Sequence, residues 1–256
     1  MIDSVLIVEL LALGLVCGFL AGLLGIGGGM LMVPFLTLIL SQRGVDAGMA
    51  VKMAIATSMA TIMFTSIASV RAHHQRGAVR WDLVRGLAPG ILIGGLLAGA
   101  GIFALLKGAW LAEKLTKPAA SRQMPGTAGQ VGAGTGIGLL SGLVGAGGGF
   151  VSVPFMTWCN VPMHKAVATS AALGFPIAVA STTGYLIGGW SLPTTLPGSF
   201  GYLYLPALVV IACASVTMAP LGVRTAHAMD VAQLKKVFAS LLFLLAAYML
   251  YKGLAG

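Results

Sequence analysis

The sequence predicts an all-α, polytopic transmembrane protein with two homologous, inverted repeats, each containing a pair of helices broken by glycines. Three observations predict this fold class. First, 58% of the 256 residues are hydrophobic and 8% are charged, with a mean hydropathy of +0.98, which lies outside the range of soluble domains. Second, a glycine-rich block occurs twice. Third, loops at equivalent places in the two halves differ in charge.

The duplicated block establishes the internal repeat. Without a gap, Gly18–Ile39 and Gly138–Cys159 are identical at 12 of 22 positions, which is more than shared apolar composition explains. The triplet Ala56-Thr-Ser58 recurs as Ala168-Thr-Ser170, so the duplication extends into the following span of each half. The polar, proline-containing link Lys107–Gly129 separates the halves. We therefore predict a first transmembrane repeat at residues 1–118 and a second at 119–256.

Each glycine cluster interrupts a strongly apolar run. Glycine costs about 1 kcal/mol relative to alanine inside a helix, so clustered glycines predict a break. The apolar segments that follow, Met30–Leu40 and Phe150–Cys159, are each about 15 Å long as helices, half of a hydrocarbon core of about 30 Å. Such breaks are tolerated only inside protein or beside a cavity. Paired broken helices at matching places indicate a transporter's binding site.

The remaining apolar runs predict full spans. Their bounds in the sequence are Val5–Leu24, Met49–Val70, Leu87–Leu106, Ala166–Gly188, Leu205–Val223 and Leu234–Tyr251. The first half closes with the segment 108–115, which is too short to cross a bilayer that needs about 20 residues. The first half is therefore expected to lack the closing span that Leu234–Tyr251 provides in the second half.

Loop charges predict the orientation of the repeats. The loop after Val70 is strongly basic, whereas its counterpart Trp190–Tyr204 carries no charge. The positive-inside rule places the basic loop in the cytoplasm and the neutral one outside, so the two halves cross the cytoplasmic membrane in opposite senses. The half-helix N-termini then meet near the midplane. His73 and His74 lie in the basic loop and are expected to be a solvated pair, with a metal or proton site as the alternative.

These features resemble those of the sulfite exporter TauE/SafE family, also called the toluene sulfonate uptake permease family. The resemblance covers essentially the whole chain and rests on both glycine blocks, each running to a Pro-Phe pair and followed by an Ala-Thr-Ser triplet. Four further segments carry it: Ser121-Arg-Gln-Met-Pro-Gly126, Gly201-Tyr-Leu-Tyr-Leu-Pro206, Ala219-Pro-Leu-Gly-Val-Arg224 and Leu234-Lys-Lys-Val-Phe238. It implies a carrier of sulfite, organosulfonates or related sulfur anions across the cytoplasmic membrane.

A helix N-terminus offers unpaired N–H groups and about half a positive charge, which suits an oxyanion. We therefore predict that the paired glycine-rich half-helix N-termini hold a small sulfur-containing oxyanion, with nearby hydroxyls completing the site. The predicted substrate-binding residues are Gly25, Gly27, Gly28, Gly29, Thr57, Ser58, Gly145, Gly147, Gly148, Gly149, Thr169 and Ser170. The alternative is that the glycines serve only the close packing of crossing helices.

Other function classes have less support. All six carboxylates lie at or near loops, so no acidic residue marks a cation path through the core. No hydrolase or metalloprotease motif is present, and the three cysteines share no metal-type spacing. We predict a secondary transporter that lies in the lipid bilayer, with no enzymatic activity, cofactor, metal or nucleic-acid partner. An intramembrane enzyme and a non-transporting scaffold are the alternatives, and a homo-oligomer is left open.

Overall fold

A computed structural model of the chain describes residues 4–99, 123–192 and 196–255. Within these ranges the protein is almost entirely helical, apart from one two-stranded hairpin. The elements are α1 Ser4–Leu24, α2 Gly29–Gln42, α3 Ala47–His74, α4 Trp81–Gly99, α5 Thr127–Val144, α6 Gly149–Trp158, α7 Met163–Gly189, β1 Ser199–Phe200, β2 Leu203–Tyr204, α8 Leu205–Ala228 and α9 Val231–Ala255.

The predicted all-α membrane architecture is confirmed. Five of the described helices, α1, α3, α4, α7 and α8, are long and apolar enough to cross a membrane. The predicted half-helices correspond to α2 and α6, which have 14 and 10 residues. The segment 108–115 and the predicted repeat boundary at residues 118 and 119 lie outside the described residues.

The start of α4 differs from the sequence prediction. This helix begins at Trp81, six residues before the predicted start, so Arg85 belongs to a helix and the basic loop is shorter. Charged residues are compatible with the first turn of a membrane helix because that turn can reach the polar interface. The neutral loop Trp190–Tyr204 also contains more structure than expected, because β1 and β2 pair antiparallel within it.

Glycine conformation explains where the broken helices end and restart. Gly28 and Gly148, which precede α2 and α6, have φ values of 74° and 82°. Gly145, which follows α5, has a φ of 76°. Residues with a side chain rarely adopt this left-handed region, whereas glycine does so without penalty. The glycine blocks thus place both breaks where the sequence predicts them.

The first helix of each half packs against the fourth helix of the other half. The first helix of the first half, α1, packs along α8 of the second half, and α5 of the second half packs along α4 of the first. Both pairs use glycine for close approach: a Cβ on Gly18 would lie 2.5 Å from the Cα of Ser215, and one on Gly138 would lie 2.9 Å from the Cα of Ile91. Small residues allow this backbone contact in membrane helices.

The third helices, α3 and α7, form the centre of the molecule. They contact each other, and their polar residues Thr57, Ser58, Thr169 and Ser170 are all fully buried. Around them lies a continuous apolar core that includes Leu24, Met32, Met59, Ile62 and Ile177. The two central helices therefore position the predicted hydroxyl groups beside the glycine breaks.

Candidate functional site

The two glycine breaks lie against each other at the centre of the protein. The backbone N–H of Gly147 donates to the carbonyl oxygen of Ile26 at 3.1 Å. A Cβ on Gly27 would lie only 2.9 Å from the Cα of Gly147. Two segments that are about 120 residues apart in sequence therefore cross backbone to backbone, as the sequence analysis expected for the half-helix N-termini.

The first residue of each half-helix contacts the opposite break. A Cβ on Gly29 would overlap the carbonyl oxygen of Gly145, and a Cβ on Gly149 would overlap that of Gly25. Gly25 itself lies against the backbone of Val167. These contacts are reciprocal between the halves, and each requires the absence of a side chain. Close packing of the two breaks is therefore one role of the glycines.

Two serines make reciprocal hydrogen bonds across the crossing. The hydroxyl of Ser58 donates to the carbonyl oxygen of Gly145 at 3.1 Å, and that of Ser170 donates to the carbonyl oxygen of Gly25 at 2.9 Å. Ser170 also lies 2.8 Å from the hydroxyl of Ser152. Each serine thus joins a central helix of one half to the glycine break of the other.

The two threonines fix the start of the fourth helix in the opposite half. The hydroxyl of Thr57 accepts the backbone N–H of Tyr204 at 3.0 Å, and that of Thr169 accepts the N–H of Arg80 at 3.1 Å. Tyr204 and Arg80 immediately precede α8 and α4. All four predicted hydroxyls therefore make structural hydrogen bonds, and their ligand role stays a prediction.

Ser141 is a candidate functional residue that the sequence analysis did not single out. It is fully buried in α5 and its hydroxyl has no hydrogen-bond partner among the described residues. The hydroxyl oxygen of Ser141 lies 3.2 Å from the position that a Cβ atom would take if Gly148 had a side chain. Gly148 is the residue that precedes α6. In the duplicated block Ser141 occupies the place of Ala21, and this difference between the copies is the signal that could have revealed it.

The electrostatic character of the crossing comes from the backbone. The N–H groups of Leu31 and Val151 already donate to the carbonyls of Gly28 and Gly148, so only the N–H groups before them at the starts of α2 and α6 lack intrahelical partners. Each helix N-terminus carries about half a positive charge. The carboxylates in the described ranges lie elsewhere: Glu9 is exposed, Asp46 caps α3, Asp82 pairs with Arg80 and Asp230 bonds Gln233. The described residues also contain no cluster of ligands that could hold a metal ion.

We predict that the reciprocal serine bonds contribute measurably to stability. Replacing Ser58 or Ser170 by alanine leaves a buried carbonyl oxygen unpaired, which costs about 1–3 kcal/mol. The matched control is Thr225→Ala, which removes an exposed hydroxyl that bonds the Leu221 carbonyl and should cost much less. Thermal unfolding of the purified variants in detergent measures the difference. Equal melting temperatures for all three variants would contradict this account of the crossing.

The family comparison agrees with this architecture. The sequence model of the family described as Sulfite exporter TauE/SafE matches residues 10–249, which include both glycine breaks and all described helices except the ends of α1 and α9. The chain belongs to the sulfite exporter TauE/SafE family. Membership in TauE/SafE was predicted from the sequence, and this match confirms it.

Three relatives of the TauE/SafE chain carry transporter names. A "Probable membrane transporter protein" of Haemophilus influenzae is 34% identical over 94% of this chain and 97% of its own length. A similarly named protein of Methanocaldococcus jannaschii is 27% identical over 94% of this chain and 94% of its own length. Another, from Bacillus subtilis, is 28% identical over 96% of this chain and 98% of its own length. No solved structure matches significantly. This TauE/SafE chain is therefore a multi-pass membrane transporter.

The expectation of a solvated histidine pair is wrong for one of its members. His73 is buried, and its ring contacts the ring of His227 at the end of α8. His74 is exposed, as expected, and its Nδ1 accepts the indole N–H of Trp81 at 3.2 Å. Adjacent helix residues point about 100° apart, so one can face the protein while the next faces solvent.

Proposed function

We propose that the protein is a secondary transporter of small sulfur-containing oxyanions, such as sulfite or an organosulfonate. The observation that carries this proposal is the crossing of two glycine breaks, each of which starts a half-helix whose N-terminus lies at the crossing. The family name supports a sulfur anion as cargo. We propose no enzymatic activity and no cofactor for this chain.

The anion is held by backbone donors at the paired half-helix N-termini. We place its stronger contact at the second break, because the hydroxyl of Ser141 beside Gly148 can donate to an anion without losing another bond. Each helix terminus contributes about 0.3–1 kcal/mol at a surface and up to about 2 kcal/mol when partly buried. Two termini with a few hydrogen bonds give an affinity of about micromolar to millimolar, which allows a carrier to release its cargo.

We also propose that the two halves are inverted repeats in the cytoplasmic membrane. Two contacts support opposite directions for α3 and α7. Arg80, which follows the end of α3, contacts Thr169 in the first half of α7. Tyr204, which follows the end of α7, contacts Thr57 in the first half of α3. In such repeats the substrate site lies at the repeat interface near the membrane midplane. The crossing of the breaks would then be at that depth.

Cysteine labelling tests the inverted arrangement. In a variant lacking Cys17, Cys159 and Cys213, single cysteines at the exposed positions Gln75 and Ser191 are treated with an impermeant thiol reagent added to intact cells. Because the loop after α3 is basic and the loop after α7 is neutral, we expect labelling at Ser191 but not at Gln75. Labelling of both positions from outside would contradict the proposal.

Transport into proteoliposomes tests the proposed function directly. Purified protein should accumulate radiolabelled sulfite or a sulfonate well above protein-free vesicles, and excess unlabelled anion should compete. Sodium, potassium and an uncharged sulfoxide should not compete, because helix N-termini attract anions and supply only donors. Absence of any anion flux with folded, correctly inserted protein would overturn the proposal.

A further inference from the structure

Three of the four histidines form a cluster at the ends of α3, α7 and α8. The Nδ1 of His73 lies 3.1 Å from the Nε2 of His227, and His73 is only 1% exposed. His164, in the first turn of α7, stacks on His227 with ring centroids 5.8 Å apart. The anion site does not use these residues, so the cluster needs a separate explanation.

The carbonyl partners determine which ring nitrogens carry hydrogen. The Nε2 of His73 lies 3.2 Å from the carbonyl oxygen of Gly22, and a carbonyl can only accept, so this nitrogen carries hydrogen. In the neutral ring, the Nδ1 of His73 is then an acceptor, and the Nε2–H of His227 donates to it. The Nδ1 of neutral His227 is left without hydrogen. One proton can add there while the bond between the rings is kept.

The C-termini of α1 and α8 contact the cluster and favour a positive charge, whereas the burial of His73 and the N-terminus of α7 at His164 oppose it. Gly22 is in the last turn of α1, where carbonyls lack intrahelical partners. The Nε2 of His164 lies 3.2 Å from the carbonyl oxygens of both Ala226 and Met229 at the end of α8. Each C-terminus carries about half a negative charge, which stabilises a nearby imidazolium. Among the described residues, Arg76 and His164 are the charged or titratable side chains that act on both His73 and His227, and both of them oppose protonation of these rings.

The second repeat makes the same backbone contact without a histidine. Gly142 occupies the place of Gly22 in the duplicated block. Tyr185 occupies the place of His73, because it follows Ser170 by the same number of residues as His73 follows Ser58. The hydroxyl of Tyr185 donates to the carbonyl oxygen of Gly142 at 3.3 Å. A phenol cannot take up a proton near neutral pH, whereas an imidazole can. The hydrogen bond to the helix end therefore does not by itself require a histidine in the first repeat.

We propose that His73 and His227 form a one-proton binding site that couples proton uptake to anion transport. A proton from water adds to the Nδ1 of His227, which is partly exposed, and the Nε2 proton of His227 passes to the Nδ1 of His73. His73 is then an imidazolium whose Nε2–H remains on the Gly22 carbonyl. Gly22 precedes the first break by three residues, about 4.5 Å along a helix. The added positive charge therefore lies beside the helix that leads to the anion site and favours anion binding.

The coupling rests on the proposed transport function, but the proton site can be tested without it. NMR of protein with isotope-labelled histidine follows the ring signals from about pH 4.5 to 8.5. We expect the His73 and His227 signals to change together with one shared apparent midpoint, as interacting groups do. Independent titration of His73 and His227 would overturn the proton site, whether or not any anion is transported.

A transport measurement tests the coupling. The variant His73→Tyr copies the residue that the second repeat uses, and His227→Gln keeps a hydrogen-bond donor to His73. If one of these two variants does not fold, the other still tests the coupling. The exposed His74→Gln is the matched control. With a sulfonate, whose own charge is constant across this range, wild-type and control uptake should fall by about fivefold or more as the pH rises through the midpoint, because coupling between two sites typically changes affinity by about 5–150-fold. Both cluster variants should change less than about twofold over the same range; a wild-type pH profile in either folded variant would overturn the coupling.

Discussion

Gly29→Ala is expected to lower the free energy of unfolding by about 3 kcal/mol and to abolish transport. The new Cβ would overlap the carbonyl oxygen of Gly145, with the Cδ1 of Ile62 at 2.8 Å and the hydroxyl of Ser58 at 2.9 Å. A side-chain end could move aside, but the Gly145 carbonyl is backbone and is held by the Ser58 bond. The two breaks would therefore have to separate. Denaturant unfolding in detergent and anion uptake measure the two effects.

The control for Gly29→Ala is Gly126→Ala. Gly126 precedes α5 with an ordinary negative φ, and a Cβ there would meet nothing within 4 Å. We expect this variant to change the free energy of unfolding by less than about 1 kcal/mol and to transport normally. If the two alanine variants behaved alike, the crossing of the breaks would not be the tightly packed centre of the protein.

Gly148→Ala is expected to reduce transport by more than tenfold while most of the protein stays folded. Here a Cβ would overlap only the Cδ1 of Ile177, the end of a flexible side chain, and would lie 3.2 Å from the unpaired hydroxyl of Ser141. The surrounding structure can therefore adjust at a cost of about 1–3 kcal/mol. The methyl group and the displaced end of Ile177 would nevertheless crowd the N-terminus of α6 and the Ser141 hydroxyl, beside which we place the anion. Uptake per amount of monodisperse protein measures this effect.

Gly44→Ala separates backbone strain from loss of the site. Gly44 has a φ of 84°, close to the 82° of Gly148, but a Cβ on Gly44 meets nothing within 4 Å. Both substitutions carry the left-handed penalty of about 1–2 kcal/mol, and only Gly148→Ala alters the proposed site. Equal transport by the two variants, after correction for the amount of folded protein, would assign Gly148 a purely structural role.

Local sequence signals predicted the helical architecture well. The glycine blocks marked both breaks because several residues there adopt backbone angles that only glycine readily takes. The apolar runs marked the spans because a bilayer fixes their length and composition. The predicted start of α4 at Leu87 is late because the charge of Arg85 indicates a loop, although Arg85 lies in the first turns of the helix.

The contacts inside the site were harder to predict because they join distant parts of the chain. The bond between Thr57 and Tyr204 spans 147 residues, and the contact between His73 and His227 spans 154. No local pattern records such pairs, so His73 looked like one member of an exposed basic loop. Ser141 was missed for another reason: a serine in a small-residue helix usually bonds its own backbone, and only the fold shows that its hydroxyl is unpaired.

Titration calorimetry with purified protein tests the central claim, that the glycine breaks bind a sulfur oxyanion, most directly. Wild-type protein and Gly44→Ala should bind sulfite or a sulfonate with an affinity of about micromolar to millimolar, and Gly148→Ala should lose this binding. Lys52 and Lys165 are exposed, so Lys52→Ala and Lys165→Ala should retain it. Binding that persists in folded Gly148→Ala but disappears with either lysine would contradict the account, because a side-chain cation would then hold the anion.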